Sequence, residues 1–482
     1  MSALEPERAE LQHWLGVVAK VGFDAIDDLP HTPATGPLGA AGRAVADEVS
    51  TPIPEAPHPG GIAALAAIVG RAAEASLNTP GPGYLAYVPG GGLPSAAIAD
   101  LLGCLLNRFT GVAAAAPALC RLEADVLGWL AGEFGMPAST RGLLTTGGSL
   151  ANLAAIVTAR HARFGDSGEL GQAIVYTSAQ AHLSVTKAVR IAGIPQRNVR
   201  SVATDARLRL DVTALAAAIA EDRQASRVPL MVVSSAGTTN TGAVDPMGAI
   251  AELCAREQLW HHVDAAYGGA FVLCDEGKRR LAGIERADSI TFDPHKGMFL
   301  PYGTGCVLVR DGGRLRDAHD VPAPYLQDFD VLDRTGEPPS PTEYGPELSR
   351  DFRGLRLWLP LQLHGAAAFR RALGDKLALA DRFHARLRAV VEAGHAIEII
   401  DAPQLSIVAW RLRRAPGEPL VAWNARNQAW LRRINAKDRV HLSSTLLPVD
   451  DGAAFTLRAC VLSFRTHQPH VDACLDDLVA TL

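Results

Sequence analysis

Lys296 ends the run Asp293-Pro294-His295-Lys296. The run follows Ser289-Ile290-Thr291-Phe292 and precedes Gly303-Thr304-Gly305-Cys306-Val307-Leu308-Val309, and both flanks read as buried strands. A lysine at the end of a buried strand is costly unless it has a partner or a task. Burial lowers a lysine's pKa and frees its amine as a nucleophile, which suits Schiff-base chemistry.

Three other features stand at the ends of expected strands. Thr146-Gly147-Gly148-Ser149 precedes a helix. Its glycines let the backbone approach a phosphate, the helix start offers N–H groups, and Ser149 adds a hydroxyl. The plain structural account is a strand–helix turn with Ser149 as N-cap. Asp264 ends Trp260-His261-His262-Val263-Asp264. A buried carboxylate needs donors or a cation, and a pyridinium nitrogen is one such cation. His182 stands at a helix start, where its imidazole can stack on a flat ring and handle a proton, or simply cap the helix. His261 and His262 point to opposite faces of a strand, which argues against a two-ligand metal site, and no metal is expected. Phosphate turn, His, Gly237-Thr238-Thr239, Asp and His-Lys follow in that order. Together they supply what pyridoxal phosphate requires: a cradle, a ring stacker, a pyridinium partner and a Schiff-base lysine.

The elements that must position these residues alternate. Strands are expected at 142–146, 173–178, 199–203, 230–235 and 259–263, and helices at 150–163, 182–192, 212–220 and 246–258. This pattern argues for an α/β layer with a mostly parallel sheet, whose ligands sit outside the carboxyl ends of the strands. Upstream, 11–21, 61–75, 94–105 and 116–134 read as helices, with a Pro-rich link at 51–59. Downstream, a polar loop spans 312–346. Long helices are expected at 348–373 and 376–393. A smaller α/β unit follows, with strands at 396–400, 405–412, 440–447 and 455–462. Tyr84, Leu85 and Tyr87, in a loop bounded by Pro and Gly, suggest an apolar or aromatic substrate-pocket wall, or a packed turn.

Composition narrows the function classes. The chain has 482 residues, 48% hydrophobic and 20% charged, enough for a large core and two or three units. A net charge of -5 gives no electrostatic case for nucleic acid. The N-terminus lacks an apolar signal-like run and no membrane span is expected, so a cytoplasmic location is the default. Seven scattered cysteines without a C-x-x-C pair argue against metal ribbons and disulfide frameworks.

The sequence resembles the group II pyridoxal-phosphate-dependent decarboxylases, which include aromatic-L-amino-acid and glutamate decarboxylases. The resemblance rests on Thr145-Thr146-Gly147-Gly148-Ser149-Leu150-Ala151-Asn152, Ala181-His182-Leu183-Ser184, Gly237-Thr238-Thr239, His262-Val263-Asp264-Ala265-Ala266-Tyr267 and Asp293-Pro294-His295-Lys296. It extends through 82–89, Ala116-Pro117 with Glu123, and Phe352-Arg353-Gly354-Leu355-Arg356-Leu357-Trp358. It implies fold type I, with a mostly parallel seven-stranded sheet in a large domain over 96–360. A small α/β domain over 361–482 and a helical segment over 1–95 that wraps a partner subunit are also implied. The same resemblance implies an obligate homodimer with active sites at the interface. Lys296 would carry the cofactor, Asp264 would pair with its ring nitrogen and His182 would stack on the ring. Gly147, Gly148, Ser149 and His295 would surround the phosphate, with Thr239 and Ala266 nearby.

The implied activity is decarboxylation of an L-amino acid to the amine and CO₂, with an aromatic or bulky apolar substrate. Oxygen-dependent conversion to an aldehyde, decarboxylation of an acidic amino acid and a non-catalytic cofactor binder are the alternatives. The family's protonating tyrosine lies on a mobile loop that this chain does not reproduce. Tyr344 is the first candidate for that role and Tyr325 the second. On this reading Tyr344→Phe diverts product from amine to aldehyde.

Overall fold

The computed structural model describes residues 4–166, 170–321, 324, 327–328 and 338–482. Continuous apolar runs such as Ala173-Ile174-Val175-Tyr176 have no polar face, so they must be covered on both sides. They form a seven-stranded sheet of β1 (Arg141–Thr145), β2 (Ala173–Ser178), β3 (Val199–Val202), β4 (Val228–Ser235), β5 (Trp260–Ala265), β6 (Ser289–Phe292) and β7 (Gly305–Val309). The order is β1-β7-β6-β5-β4-β2-β3. All neighbours are parallel except β7, which is antiparallel to both β1 and β6. Helices Gly148–Phe164, Leu183–Ile191, Val212–Gln224 and Met247–Glu257 connect the strands. The largest core includes Phe134, Phe271, Phe292 and Leu308, all at most 2% exposed. Burying each such side chain contributes roughly 1.5–3 kcal/mol.

A second, antiparallel sheet contains β8 (Ile397–Ile399), β9 (Ile407–Leu412), β10 (Ser443–Val449) and β11 (Gly452–Cys460), in the order β10-β11-β9-β8. Helices Leu420–Asn435 and Gln468–Ala480 belong to this unit. Its core of Phe383, Trp410, Trp430 and Leu457 is separate from that of the large sheet.

Several boundaries differ from the sequence reading. The first helix runs Arg8–Asp28, and an unexpected helix, Ala40–Val49, precedes the Pro-rich link. The two long helices are Gly354–His364 and Ala366–Glu392. The break falls at Gly365, whose φ is 70°, and not at 374–375. The sequence reading placed the break at 374–375, whereas the left-handed φ at Gly365 is what ends the first helix. The expected loop at 312–346 begins with a helical turn, Gly312–Asp317, and includes another at Pro341–Tyr344. Tyr325 lies outside the described residues.

Candidate active site

The carboxyl ends of β1, β2, β4, β5 and the turn after β6 converge on a cavity of about 270 Å³. Parallel strands all present this end on one side of the sheet, which is why residues far apart in sequence meet here. Lys296 sits in the short helix Pro294–Gly297 after β6, its side chain 22% exposed. Its Nζ is 2.9 Å from Asp293 Oδ2. Asp293 is buried, and its Oδ1 has no hydrogen-bond partner among the described residues.

The phosphate-type turn is built from glycine. Helix Gly148–Phe164 has Gly147 as N-cap, with φ 158° and no side-chain cap. Ser149 is therefore not the cap, and the first-turn N–H groups are left for an anion. A Cβ on Gly148 would lie 2.9 Å from Asp293 Oδ2, and one on Gly305 would lie 2.4 Å from the Gly147 carbonyl carbon. Both positions need the missing side chain for the backbone to pack this closely. His295 Nδ1–H donates to the Thr304 carbonyl at 2.7 Å, which fixes the ring beside this turn.

Asp264 ends β5 and is 8% exposed. Its Oδ2 accepts from Asn152 Nδ2 at 3.0 Å and its Oδ1 from the Ala266 N–H at 3.1 Å. His182 caps helix Leu183–Ile191, its Nδ1 accepting from the Ser184 N–H. Capping and a cavity-lining position coexist, because the cap uses only one ring nitrogen. Partial burial pushes its imidazole below the ordinary value, and Asp264 offsets part of that effect. Gly147, Gly148, Ser149, His182, Thr239, Asp264, Ala266, His295 and Lys296 all line the one cavity.

The expected substrate wall is placed elsewhere. Leu85 is fully buried in the small-sheet core, its backbone bonded to His441 and Cys460. Tyr84 is buried and stacked on His441, the ring centroids 5.8 Å apart. Neither lines the Lys296 cavity. Their Pro and Gly neighbours suggested an exposed loop, but the segment is threaded against β11 and the residues before β10. Tyr87, at φ 49°, is the exposed member, 59% accessible. Tyr344 is also outside the cavity, packed with Leu143, Ala155, Val307 and Leu315.

Sequence reasoning assigned no role to Asn152, Ser184, His262 or Asp293. Asn152 was findable, since Gly148 and Asn152 are four apart and share one helix face. Arg458 was also missed. It is 2% exposed, bonds to the Asn240 carbonyl and Ser443 Oγ, and its Nη2 has no partner among the described residues. No group of His, Cys, Asp or Glu among the described residues is arranged to hold a metal ion. No helix among them is long and apolar enough to cross a membrane.

The arrangement suits pyridoxal phosphate: an uncapped glycine turn for an anion, a carboxylate, an imidazole and a lysine amine all line one cavity. Residues 77–413 match the model of the pyridoxal-dependent decarboxylase conserved domain. The chain is 35% identical over 385 residues to an aromatic-L-amino-acid decarboxylase of Bacillus atrophaeus, covering 80% of this chain and 78% of that one. It is 31% identical over 411 residues to tryptophan decarboxylase 1 of Oryza sativa subsp. japonica, covering 81% and 78%. The crystal structure of Oryza sativa TDC with PLP and tryptamine superposes with a TM-score of 0.90 at 27% identity, covering 100% of this chain and 99% of that one. The chain belongs to the pyridoxal-dependent decarboxylase family, carboxy-lyases whose cofactor is pyridoxal phosphate.

Proposed function

We propose that this protein decarboxylates an aromatic L-amino acid to the amine and CO₂. The observation that carries the reading is the meeting of Lys296 and Asp264 in one cavity with the glycine turn. The names of the similar proteins, aromatic-L-amino-acid and tryptophan decarboxylases, support the substrate class.

When bound, pyridoxal phosphate supplies an electron-accepting ring that takes up the electron pair released as CO₂ leaves. Lys296 would hold the cofactor through its Nζ. Asp264 keeps a proton on the ring nitrogen, because a carboxylate beside that atom favours its protonated form. The uncapped N–H groups at Gly148 and Ser149 hold the phosphate, with His295 beside them. His182 would face the ring, with Thr239 and Ala266 also lining its cavity. The protein's contribution is orientation and electrostatics.

The reading includes a homodimer. The three helices Arg8–Asp28, Ala40–Val49 and Gly61–Glu74 bury only Val45 and Ala66 between them, which supports residues 1–95 as a segment that wraps a second copy. A cytoplasmic location completes it. Incubation with tryptophan, tyrosine, dihydroxyphenylalanine and glutamate, read for CO₂, amine, aldehyde and peroxide, separates the possibilities. Amine and CO₂ from an aromatic substrate are expected. Peroxide with aldehyde, turnover of glutamate alone, or no turnover by the cofactor-loaded protein overturns the proposal.

A further inference from the structure

From Trp260 to the cavity lining runs a hydrogen-bond chain whose inner members, His262 and Asn152, the chemistry above does not use. Trp260 Nε1–H donates to Ser289 Oγ at 2.7 Å. Ser289 Oγ lies 2.8 Å from His262 Nδ1, and His262 Nε2 lies 2.9 Å from Asn152 Oδ1. Asn152 Nδ2 lies 3.0 Å from both Asp264 Oδ2 and Ser184 Oγ. Ser184 Oγ lies 2.7 Å from His182 Nδ1. Asn152, Ser184, His262 and Ser289 are each at most 2% exposed.

The two ends set the direction of every bond. An indole N–H can only donate, and a carboxylate oxygen can only accept. Asn152 must therefore turn its NH₂ towards Asp264, since the reversed amide would set oxygen against oxygen. That leaves Asn152 Oδ1 facing His262, so His262 Nε2 donates. Burial pushes the His262 imidazole well below its ordinary value, so the ring is neutral and its Nδ1 accepts. The donor to Nδ1 is the Ser289 hydroxyl, whose oxygen receives the indole proton. In the other direction, the second N–H of Asn152 donates to Ser184 Oγ. The Ser184 hydroxyl proton then goes to His182 Nδ1, which also accepts the Ser184 backbone N–H at 3.3 Å. A neutral His182 is left with its proton on Nε2. In so dry a setting a broken link strands a polar group, so the chain acts as a unit.

We propose that Asn152 and His262 are positioning residues of the active site: their one-way chain commits Asp264 Oδ2 and locks His182 in the Nε2–H tautomer, so that this ring offers its proton on the nitrogen that has no hydrogen bond among the described residues. The proposal rests on the reading of Asp264 and His182 as cofactor-facing groups, and explains what orients them. A histidine at position 262 is then required as a donor to Asn152 Oδ1, not as a filler of space.

The test is ¹⁵N NMR of the histidine-labelled, cofactor-loaded protein near pH 8, with titration of pyridoxal phosphate into the apoprotein as an independent readout. The unmodified protein is expected to show His182 and His262 as neutral Nε2–H tautomers, a measurement that needs no variant. His262→Leu is expected to mix the His182 tautomers and weaken cofactor binding roughly tenfold. His262→Gln, which keeps a donor for Asn152 Oδ1, is expected to restore most of both. An Nδ1–H or doubly protonated His182 in the unmodified protein overturns the proposal. So does a folded His262→Leu protein with His182 and cofactor affinity unchanged. Asp264→Asn separates the two levels: undiminished cofactor affinity there defeats the ring-nitrogen reading of Asp264, while the His182 tautomer still decides the chain.

Discussion

Two adjacent histidines on β5 meet opposite surroundings. His262 has a partner at each ring nitrogen, whereas His261 bonds to Ser234 Oγ through Nε2 and its Nδ1 has no partner among the described residues. Burial pushes His261 down to about 3, with smaller contributions from His262 and Arg286, and it lowers His262 as well. Above about pH 6.5, folded and unfolded chains both hold these rings neutral. As pH falls below that, the unfolded chain takes up protons that the folded chain refuses, so stability declines. For His261 the loss between about pH 7 and pH 5 is about 2 kcal/mol. Urea denaturation at the two pH values should show the decline, and His261→Gln should show a smaller one. An equal decline in the variant would refute the assignment. Tyr344 belongs to the same scale. Because Tyr344 belongs to the buried cluster of Leu143 and Leu315 and does not line the Lys296 cavity, Tyr344→Phe is expected to leave the amine-to-aldehyde ratio unchanged, and Tyr344→Ala to destabilise the fold by about 3 kcal/mol. Aldehyde from Tyr344→Phe would instead restore the role the sequence suggested.

At the scale of elements, the informative residues are two glycines in what reads as one helical stretch. Gly365 has φ 70° and Gly374 lies inside Ala366–Glu392, and a Cβ at either position meets nothing within 4 Å. Space being equal, backbone conformation decides. Gly365→Ala should cost about 1 kcal/mol, and Gly374→Ala should add up to about 1 kcal/mol, readable as opposite shifts in thermal midpoint. Shifts of the same sign would contradict the boundary. The pair also shows what could be read without coordinates. Apolar runs and helix starts are local signals, and they identified the strands whose carboxyl ends lead to Gly147, His182, Asp264 and Lys296. The left-handed turn at Gly365, the threading of Tyr84 and Leu85 against the small sheet, and the Asn152–His262 contact depend on partners distant in the chain. Periodicity carries no record of such partners.

For the whole molecule, the N-terminal helices present Val18, Phe23 and Val69 at 52%, 63% and 68% exposure. Apolar surface gathered in this way is characteristic of an interface. Sedimentation equilibrium should give twice the mass of one chain, and Val18→Glu with Phe23→Glu should shift the protein towards monomer with loss of turnover. A monomeric unmodified protein would remove residues 1–95 from any wrapping role. The sheet order has its own consequence. Among the described residues, β1 pairs only with β7, and Thr145 stands opposite Gly305, which packs on Gly147. On the ribosome, the strand that leads into the phosphate turn therefore emerges about 160 residues ahead of its sole neighbour. Until that neighbour arrives the turn lacks its contact with Gly305, and Lys296 itself is translated only nine residues before Gly305. The two strands that bracket the phosphate turn thus come together only once residues 305–309 have been made, after every other strand of the large sheet.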